Sequence, residues 1–346
     1  MKIGYKNIGQ DNPCFIIAEL SANHNGDLNV AIETIRAAKR AGADAIKLQT
    51  YTPDTLTIDC DNKYFKIEEG TLWDGKTLYE LYGEAYTPWE WHKRLFEVAE
   101  EEGLICFSSP FDFTAVDFLE NLKVPAYKIA SFEIQDIPLI EYAASKGKPI
   151  IISTGIAEEE DIQLAVDTCR KVGNNDIILL KCTSSYPAPL ELANLNTIPD
   201  IKKRYKVEVG FSDHTYGSLA PTVATTLGAK VIEKHFILDK SIGGPDADFS
   251  LDVNEFTEMV NKVRDTEKLL GKVSYEISEK VRKNRKFARS LFVVDDVKAG
   301  DRITKDNIRS IRPGYGLHPK YYNDILGKSF LIDIEKGTPL SKDMFL

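Results

Sequence analysis

The chain has 346 residues, of which 43% are hydrophobic and 28% charged, and its formal net charge at pH 7 is −9. This composition indicates a globular protein with a sizeable core and excludes a disordered chain, a collagen and a small disulfide scaffold. No apolar run reaches the about 18 residues that span a membrane, and the first residues, MKIGYKNIGQDNP, lack the apolar stretch of a secretory signal. Five scattered cysteines without a CxxC spacing argue against disulfides and thiolate metal sites. The sequence therefore predicts a cytoplasmic protein.

Charge is unevenly distributed along the chain. Residues 279–346 contain 15 Lys and Arg against 9 Asp and Glu, a net charge of +6, whereas the first 278 residues carry −15. The basic segment is either a solvated tail, or it docks on the acidic body or helps to hold an anionic ligand. Nucleic acid is a poor match, because the basic residues form no aromatic-interleaved stripe and the chain as a whole is acidic.

Eight short β-branched runs alternate with amphipathic stretches. Helices are predicted over Ala31–Ala41 and Trp89–Glu102, each followed by a glycine suited to a C-cap. Such alternation predicts parallel strands, because parallel strands need crossover helices. Eight strands favour an α/β fold of the (β/α)8 TIM-barrel type, with a doubly wound sheet as the alternative. The strands are predicted at residues 15–20, 45–50, 105–110, 126–131, 149–154, 177–183, 207–212 and 231–236.

Two regions depart from this repeat. About fifty residues separate the second predicted strand from the third, and the aromatic content between Tyr51 and Tyr86 predicts an ordered segment over the barrel mouth. After a helix over Asn254–Leu270 and a charged stretch over Ser278–Lys286, the last sixty residues predict short strands, SLFVV, SIRP and SFLIDI, in a small β-rich domain. The expected organisation is a barrel domain over 1–275, a linker over 276–286 and a second domain over 287–346.

Almost every predicted strand ends in a titratable or hydroxyl residue, and in a parallel barrel these ends form the mouth where catalytic groups lie. Because a buried unpaired lysine is costly, the three lysines in these strands indicate convergence on an anionic ligand such as a phosphate or carboxylate. The chain has no Walker loop or Rossmann glycine fingerprint, so side chains of several strands would hold the anion. The strand-end residues are Glu19, Lys47, Gln49, Ser108, Ser109, Lys128, Ser131, Glu133, Ser153, Thr154, Lys181, Thr183, Ser184, Ser212, Asp213, His214, Glu233 and His235.

Two histidines, His214 and His235, close the seventh and eighth predicted strands. Equivalent positions on neighbouring strands can bring two imidazoles to one metal ion and leave positions open for water and substrate. With no Cys positioned as a further ligand, such a site suits Mn²⁺ or Mg²⁺ better than structural zinc.

Further residues are candidates for acid–base or covalent chemistry. Glu19 is the candidate acid or base, with an ion pair to Lys47 as its alternative role. Asp246 follows the eighth strand in a loop that either reaches over the mouth or is simply a turn. Lys128 and Lys181 leave a Schiff-base aldolase open.

These residues lie within motifs that resemble the sialic acid synthase family. The motifs are Glu19-Leu-Ser-Ala-Asn-His-Asn-Gly26, Lys47-Leu-Gln-Thr50, Phe107-Ser-Ser-Pro-Phe111, Tyr127-Lys-Ile-Ala-Ser131, Ser153-Thr-Gly155, Leu180-Lys-Cys-Thr-Ser-Ser-Tyr-Pro187, Gly210-Phe-Ser-Asp-His214 and Glu233-Lys-His-Phe236. The tail, with Phe287-Ala-Arg-Ser-Leu291 and Arg312-Pro-Gly-Tyr-Gly316, resembles the C-terminal antifreeze-like (SAF) domain of that family. Within the family, the stretch from Leu72 to His92 and the motif that begins at Glu19 look like the pseudaminic acid synthase branch.

The resemblance implies condensation of phosphoenolpyruvate with a 2-acetamido sugar aldehyde, which releases phosphate and gives a nine-carbon ulosonic acid. For this branch the sugar is 2,4-diacetamido-2,4,6-trideoxy-β-L-altropyranose, and the product would serve flagellin or capsule glycosylation. By matching motif positions, the resemblance assigns phosphoenolpyruvate to Lys47, Ser109, Lys128, Ser131, Ser153, Ser184, Tyr186 and Ser212. It assigns the sugar to Gln49, Glu133, Asp246 and Arg312, the divalent Mn²⁺ or Mg²⁺ to His214 and His235, and catalysis to Glu19 and both histidines.

The same resemblance implies a domain-swapped homodimer, in which Arg312 reaches the partner's barrel mouth and contacts an N-acetyl group. Ser109 and Ser184 stand where some family members have Thr and Asn, and Lys181 replaces a neutral or His position without an assigned role. An N-acetylneuraminate or legionaminate synthase with the same mechanism is the nearest alternative. A Schiff-base aldolase and a non-catalytic glycan-binding protein are the other two.

Overall fold

The computed structural model describes residues 1–9, 11–68 and 74–346, so Leu72 and Trp73 of the predicted branch motif lie outside the described residues. The chain divides into two compact units, Met1–Gly271 and Lys272–Leu346. Within the described ranges, no helix combines the length and the apolar character that crossing a membrane requires.

Eight parallel strands close into a barrel in the first unit. Neighbours around the barrel follow the chain, and the last strand pairs with the first, with Val231 opposite Phe15 and His235 opposite Glu19. This closure confirms the predicted barrel and shows that the doubly wound alternative is wrong. The strands are β1 Phe15–Glu19, β2 Ala45–Thr50, β3 Ile105–Pro110, β4 Tyr127–Ile129, β5 Ile150–Ser153, β6 Ile177–Cys182, β7 Glu208–Asp213 and β8 Val231–His235.

Amphipathic helices pack around the barrel. The first runs over Leu28–Arg40, three residues earlier than predicted, because the Asp27 side chain caps it by accepting a hydrogen bond from the backbone N–H of Asn29. The helices of this unit are α1 Leu28–Arg40, α2 Pro53–Leu56, α3 Leu78–Ala85, α4 Trp89–Glu101, α5 Phe113–Asn121, α6 Ile137–Ser145, α7 Glu159–Lys171, α8 Thr197–Tyr205, α9 Leu219–Thr226 and α10 Val253–Leu270.

The alternation of side chains along each strand divides the barrel interior into an apolar floor and a polar mouth. We define the floor as the buried inward-facing cluster of Phe15, Ile17, Ala45, Ile105, Phe107, Ala126, Ile151, Ile178, Leu180 and Val231, which Ile3 and Ile8 at the N-terminus join. The intervening residues, such as Ile16 and Ile46, belong to the core shared with the helices. The next inward position on β1 and β2 is Glu19 and Lys47, where the interior becomes charged.

The long connection between β2 and β3 is ordered in its described part. Helices α2 and α3 both begin with reciprocal capping boxes, and Lys66 and Thr77 form an isolated antiparallel bridge. Leu81 on α3 is buried and lines the cavity at the barrel mouth. The predicted ordered segment over the mouth is therefore confirmed for the described residues.

The second unit has its own apolar core, to which Leu291, Ile303 and Phe330 contribute. Strands β9 Ser290–Val293 and β10 Ile308–Ile311 pair antiparallel, and the charged stretch contains α11 Glu279–Lys283. A short helix α12 Tyr322–Ile325 follows.

The predicted strand SFLIDI of the second unit is wrong. Its residues form isolated bridges with three separate segments, Ser329 with Arg302, Phe330 with Phe345 and Ile334 with Val297. Because its partners change along its length, no continuous ladder forms and Leu331 and Ile332 remain exposed.

Candidate active site

A buried cluster of two carboxylates and two ammonium groups occupies the barrel mouth. Lys47 Nζ lies 2.5 Å from Glu19 Oε2 and 3.9 Å from Glu233 Oε2, and Lys128 Nζ lies 3.7 Å from Glu233 Oε1. Ser212 donates a hydrogen bond of 3.1 Å to Glu233. Sequence analysis placed Glu233 at a strand end but gave it no role, although its position two residues before His235, on the same side of β8, was the available signal.

Charge in this cluster is divided unequally between the carboxylates. Burial raises the pKa of Glu19 to about 7, against the opposing attraction of Lys47. Burial also opposes ionisation of Glu233, but Lys128 and Lys47 together hold its pKa below the usual range. Glu233 is therefore the permanently charged member, whereas Glu19 can gain or lose a proton near neutral pH.

A group of hydroxyls forms a small concave surface at the ends of β4, β5 and β6. Ser131 Oγ accepts hydrogen bonds from Ser184 Oγ at 2.8 Å and from the backbone N–H of Ile156 at 3.1 Å. Ser153 Oγ is buried and has no hydrogen-bond partner among the described residues. A Cβ on Gly155 would come within 2.2 Å of Ser184 Oγ and 2.5 Å of Ser131 Oγ. The absence of a side chain at Gly155 therefore keeps this surface open, a role that sequence reasoning did not assign.

The two predicted histidines lie at the ends of the neighbouring strands β7 and β8, with ring centroids 5.4 Å apart. His214 Nδ1 lies 3.0 Å from the carbonyl oxygen of Thr183, so Nδ1 is the donor in the neutral ring and Nε2 carries the lone pair. His235 Nδ1 is buried without a hydrogen-bond partner in the described part of the chain, and Asp246 Oδ2 is 3.8 Å away. Burial and the neighbouring positive groups hold the pKa of His235 well below the usual range, which favours the neutral ligand form.

The donor set fits a divalent cation that keeps open positions. His235 Nδ1 has no hydrogen-bond partner among the described residues, and a second imidazole lies close by, so a shared metal ion could satisfy it. Within residues 1–9, 11–68 and 74–346, no three His, Cys, Asp or Glu side chains are grouped closely enough to form a complete metal cage. Water and substrate would therefore supply the remaining ligands.

A cavity of about 420 Å³ opens above these groups and has two unlike walls. On the polar side, Gln49 Nε2 donates to Glu19 Oε1 at 3.0 Å and to Ser21 Oγ at 2.9 Å. Glu133 Oε2 is buried there without a hydrogen-bond partner among the described residues, and burial raises the pKa of Glu133 to about 7. The remaining polar lining residues include Ser131, Tyr186, His235 and Asp246. The apolar wall is the set of lining residues Tyr51, Leu56, Ile67, Leu78, Leu81, Tyr82, Ala85 and Phe111.

Two further residues singled out from the sequence are Arg312 and Lys181. Arg312 belongs to the second unit, immediately after β10. Lys181 lies between the inward-facing Leu180 and Cys182, so it points away from the interior, and its Nζ donates to the Cys182 carbonyl at 2.6 Å. It lines a different cavity, which excludes it as a lysine of the mouth.

Comparison with known proteins agrees with this architecture. The family model described as NeuB matches residues 34–275, and that of the SAF domain matches residues 288–346. The chain is 51% identical over 345 residues, all of both chains, to a pseudaminic acid synthase of Campylobacter jejuni. It is 38% identical to an N,N'-diacetyllegionaminic acid synthase of Legionella pneumophila, covering 97% of this chain and 96% of that one.

A solved structure also matches. The crystal structure of N-acetylneuraminic acid synthetase from Leptospira borgpetersenii, in complex with citrate, aligns with a TM-score of 0.73 at 33% identity, covering 82% of this chain and 94% of that chain. The family match over most of the barrel, together with these identities over nearly the whole chain, shows that the protein belongs to the NeuB family and carries a C-terminal SAF domain.

Proposed function

We propose that the protein is a pseudaminic acid synthase. It condenses phosphoenolpyruvate with 2,4-diacetamido-2,4,6-trideoxy-β-L-altropyranose and water to give pseudaminic acid and phosphate. The observation that carries this proposal is the 51% identity to a pseudaminic acid synthase over the full length of both chains. The buried charge cluster, the hydroxyl surface and the two-walled cavity supply the residue types that the reaction needs.

Phosphoenolpyruvate is an anion with both a phosphate and a carboxylate. Lys47 and Lys128 bring two ammonium charges to the mouth, and hydroxyls add neutral donors in the same shell. Ser153 Oγ, which has no hydrogen-bond partner among the described residues, and the open surface at Gly155 support a site for one oxyanion there. The full proposed set is Lys47, Ser109, Lys128, Ser131, Ser153, Ser184, Tyr186 and Ser212.

His214 and His235 would hold the divalent cation, Mn²⁺ or Mg²⁺, through lone pairs of their ring nitrogens. When bound, such a cation supplies Lewis acidity toward the aldehyde oxygen of the open-chain sugar. The protein's contribution is to orient His214 through the hydrogen bond to the Thr183 carbonyl and to favour the neutral ring of His235 through burial.

The proposed reaction forms one C–C bond and one C–O bond, the latter from water, and breaks the C–O bond between C2 and the phosphate. C3 of phosphoenolpyruvate attacks the aldehyde carbon, and the positive charge that develops at C2 is stabilised by the neighbouring carboxylates of Glu233 and Glu19. Water then adds at C2 and loses its proton to Glu19, whose pKa of about 7 suits a general base. Glu19 passes this proton to the alkoxide that the aldehyde oxygen has become. The phosphohemiketal then collapses: the C2 hydroxyl becomes the ketone, its proton goes to the leaving phosphate, and the bond between C2 and the phosphate oxygen breaks.

The two-walled cavity suits an amphipathic sugar. Gln49, Glu133 and Asp246 face the polar side, where hydroxyl and amide groups would bind. The proposed substrate also carries a C6 methyl and two acetamido methyls, for which the apolar wall provides complementary surface. Each methyl-sized group buried there contributes about 0.8 kcal/mol, so the wall discriminates by roughly fourfold per group.

We also place the enzyme in the cytoplasm as a domain-swapped homodimer, in which Arg312 contacts an N-acetyl group in the partner subunit's mouth. Mixing an inactive Arg312→Ala chain with an inactive barrel variant tests this arrangement. Recovered activity in the mixed dimer is expected, and continued inactivity with proven subunit exchange contradicts the swap.

Phosphate release tests the function directly. With Mn²⁺ and phosphoenolpyruvate, we expect release with the 2,4-diacetamido altrose sugar, little with N-acetylmannosamine or the legionaminate precursor, and loss of release with EDTA. Release with another of these sugars instead would keep the mechanism and change the substrate. EDTA-resistant turnover and borohydride trapping with pyruvate at Lys128 would contradict the proposal and favour the aldolase.

The apolar wall is tested with a matched pair of variants on one helix. Leu81→Asn places an amide in the wall and should lower kcat/KM for the altrose sugar by about 10- to 100-fold, with KM for phosphoenolpyruvate retained. Tyr79→Phe, on the exposed side of α3 where its hydroxyl bonds only Asp54 in the described contacts, should change neither. Equal effects of both variants would contradict the role of the wall.

A further inference from the structure

A fully buried ion pair lies on the barrel wall beside the two histidines. Lys234 Nζ and Asp213 Oδ2 are 2.6 Å apart, and neither side chain has any solvent exposure. The two residues are paired in register between β7 and β8. Asp213 directly precedes His214 in the chain, and Lys234 directly precedes His235. The pair thus stands one residue before each histidine.

Strand alternation places this pair on the outer side of the barrel. Phe211 on β7 and Ile232 on β8 belong to the core between barrel and helices, whereas Ser212 and Glu233 bond each other inside. Side chains on a strand alternate between faces, so the pair that follows, Asp213 and Lys234, returns to the outer layer. The histidines take the next position and face the mouth.

Both charges also hold the backbone that follows His214. Asp213 Oδ1 accepts a hydrogen bond of 2.8 Å from the backbone N–H of Thr215, and Lys234 Nζ donates to the Thr215 carbonyl. The imidazole itself is held from the other side by the Thr183 carbonyl. Hydrogen bonds therefore hold both the imidazole of His214 and the backbone that follows it. One of the groups that hold this backbone, Lys234, belongs to β8, the strand that carries His235.

Stability is a poor explanation for this pair. Desolvation of two charges offsets their attraction, and well-packed apolar residues of similar volume commonly do as well or better in such places. Groups behind metal-ligating histidines, in contrast, set ligand orientation. We propose that Lys234 and Asp213 are positioning residues, which lock β7 to β8 so that His214 and His235 share one divalent cation. This inference rests on the proposed function, because it takes the two histidines as ligands.

The test measures Mn²⁺ binding to metal-free full-length protein, by electron paramagnetic resonance titration of free Mn²⁺, beside the thermal unfolding midpoint. The double variant Asp213→Asn/Lys234→Met leaves no unpaired buried charge and should raise the Kd for Mn²⁺ by about 10- to 100-fold in a folded protein. The matched control is Asp44→Asn/Arg264→Met, which removes an ion pair of 2.9 Å at the opposite end of the strands, where Asp44 precedes β2. It should keep the wild-type Kd even if its unfolding midpoint falls.

The outcomes separate the inference from the proposed function. Wild-type Mn²⁺ affinity in the folded double variant would overturn the positioning role while leaving the metal site intact. A wild-type protein that binds no Mn²⁺, or a His235→Ala variant that binds it as tightly as wild type, would overturn the two-histidine site and the inference with it. If the double variant does not fold, Asp213→Asn alone, which retains an acceptor for Thr215, gives the reading: a raised Kd supports the role and an unchanged Kd overturns it.

Discussion

The floor and the mouth of the barrel are built by the same strands, yet they differ in almost every physical respect. Below, Phe15, Ile17 and their neighbours pack without a polar group in the cluster. Two residues further along β1, the interior changes to Glu19, and the adjacent strand contributes Lys47 at 2.5 Å. Both regions are buried, so the difference lies in chemistry and not in solvent exposure.

The comparison shows that burial stabilises the fold in one region of the barrel and prepares a binding site in the other. In the floor, removing apolar area from water stabilises the chain. In the mouth, burial costs free energy because it desolvates charges, and it leaves Glu133, Ser153 and His235 with atoms that no described residue satisfies. A bound ligand would satisfy these groups. We therefore expect substitutions in the mouth to lower activity and substitutions in the floor to lower stability.

The largest expected effect comes from the mouth. His235→Ala should lower metal-dependent phosphate release by at least about 10³-fold, because the variant loses an imidazole of the proposed cation site. Its unfolding midpoint should stay within a few degrees of wild type, since the lost Nδ1 has no hydrogen-bond partner among the described residues. A rate of phosphate release near that of the wild type would contradict the role of His235 in the activity of the mouth.

Glu19→Gln should lower kcat by about 10²- to 10⁴-fold, the range of general acid–base catalysis. In the wild type, the rate should rise with pH through about 7, because the base must be ionised and burial raises its pKa to that value. The variant should lose this limb of the pH–rate profile. If the rate of the Glu19→Gln variant still rises with pH near 7, the group that titrates there is not Glu19.

The same shift has a consequence for stability. The folded-state pKa of Glu19 lies above the ordinary value of 4.5, so between about pH 4.5 and 7 the folded chain keeps a proton that the unfolded chain releases. Stability therefore falls as pH rises across this window. Denaturant titrations of Glu19→Gln should show a smaller fall there than the wild type, and an identical fall would contradict the raised pKa.

Substitutions in the floor should lower the free energy of unfolding and leave the activity of the folded protein nearly unchanged. Phe15→Ala should cost about 3–5 kcal/mol in the free energy of unfolding, because it leaves a cavity in a fully buried cluster. At 25 °C the folded fraction should keep kcat/KM within a few-fold of wild type. If the alanine variant does not fold, the milder Phe15→Leu replaces it. A loss of activity without a loss of stability in either variant would contradict the assignment of the floor to stability.

The smallest expected effect is at the hydroxyl surface. Gly155→Ala should raise KM for phosphoenolpyruvate by roughly 10- to 100-fold, the equivalent of about 1.5–3 kcal/mol for disturbed hydrogen bonds to a charged ligand, because its Cβ would crowd Ser184 and Ser131. Gly83→Ala on α3 is the control, since the nearest atom to its Cβ would be 3.8 Å away. That variant should keep KM and gain up to about 1 kcal/mol of stability from helix propensity.

The sequence by itself determined the strands, the barrel and the strand ends that carry the site. These features are local, because alternation of apolar residues and the type of residue that ends a strand are readable within a few positions. Asp27 was also readable as an N-cap, and using it would have moved the predicted start of α1 to Leu28. In the second unit, SFLIDI resembled a strand locally, but its partners are dispersed and no ladder forms.

Only the tertiary structure decided which of these ends meet. Barrel closure pairs residues more than 200 positions apart, such as His235 with Glu19, and it brings Glu233 to both Lys47 and Lys128. Register between β7 and β8, which neither strand's sequence specifies alone, set Asp213 against Lys234 beside the histidines. The physical reason for this division is that residue type and the alternation of apolar residues are properties of one segment. The distances between side chains and the balance of charge at the mouth depend on all eight strands together.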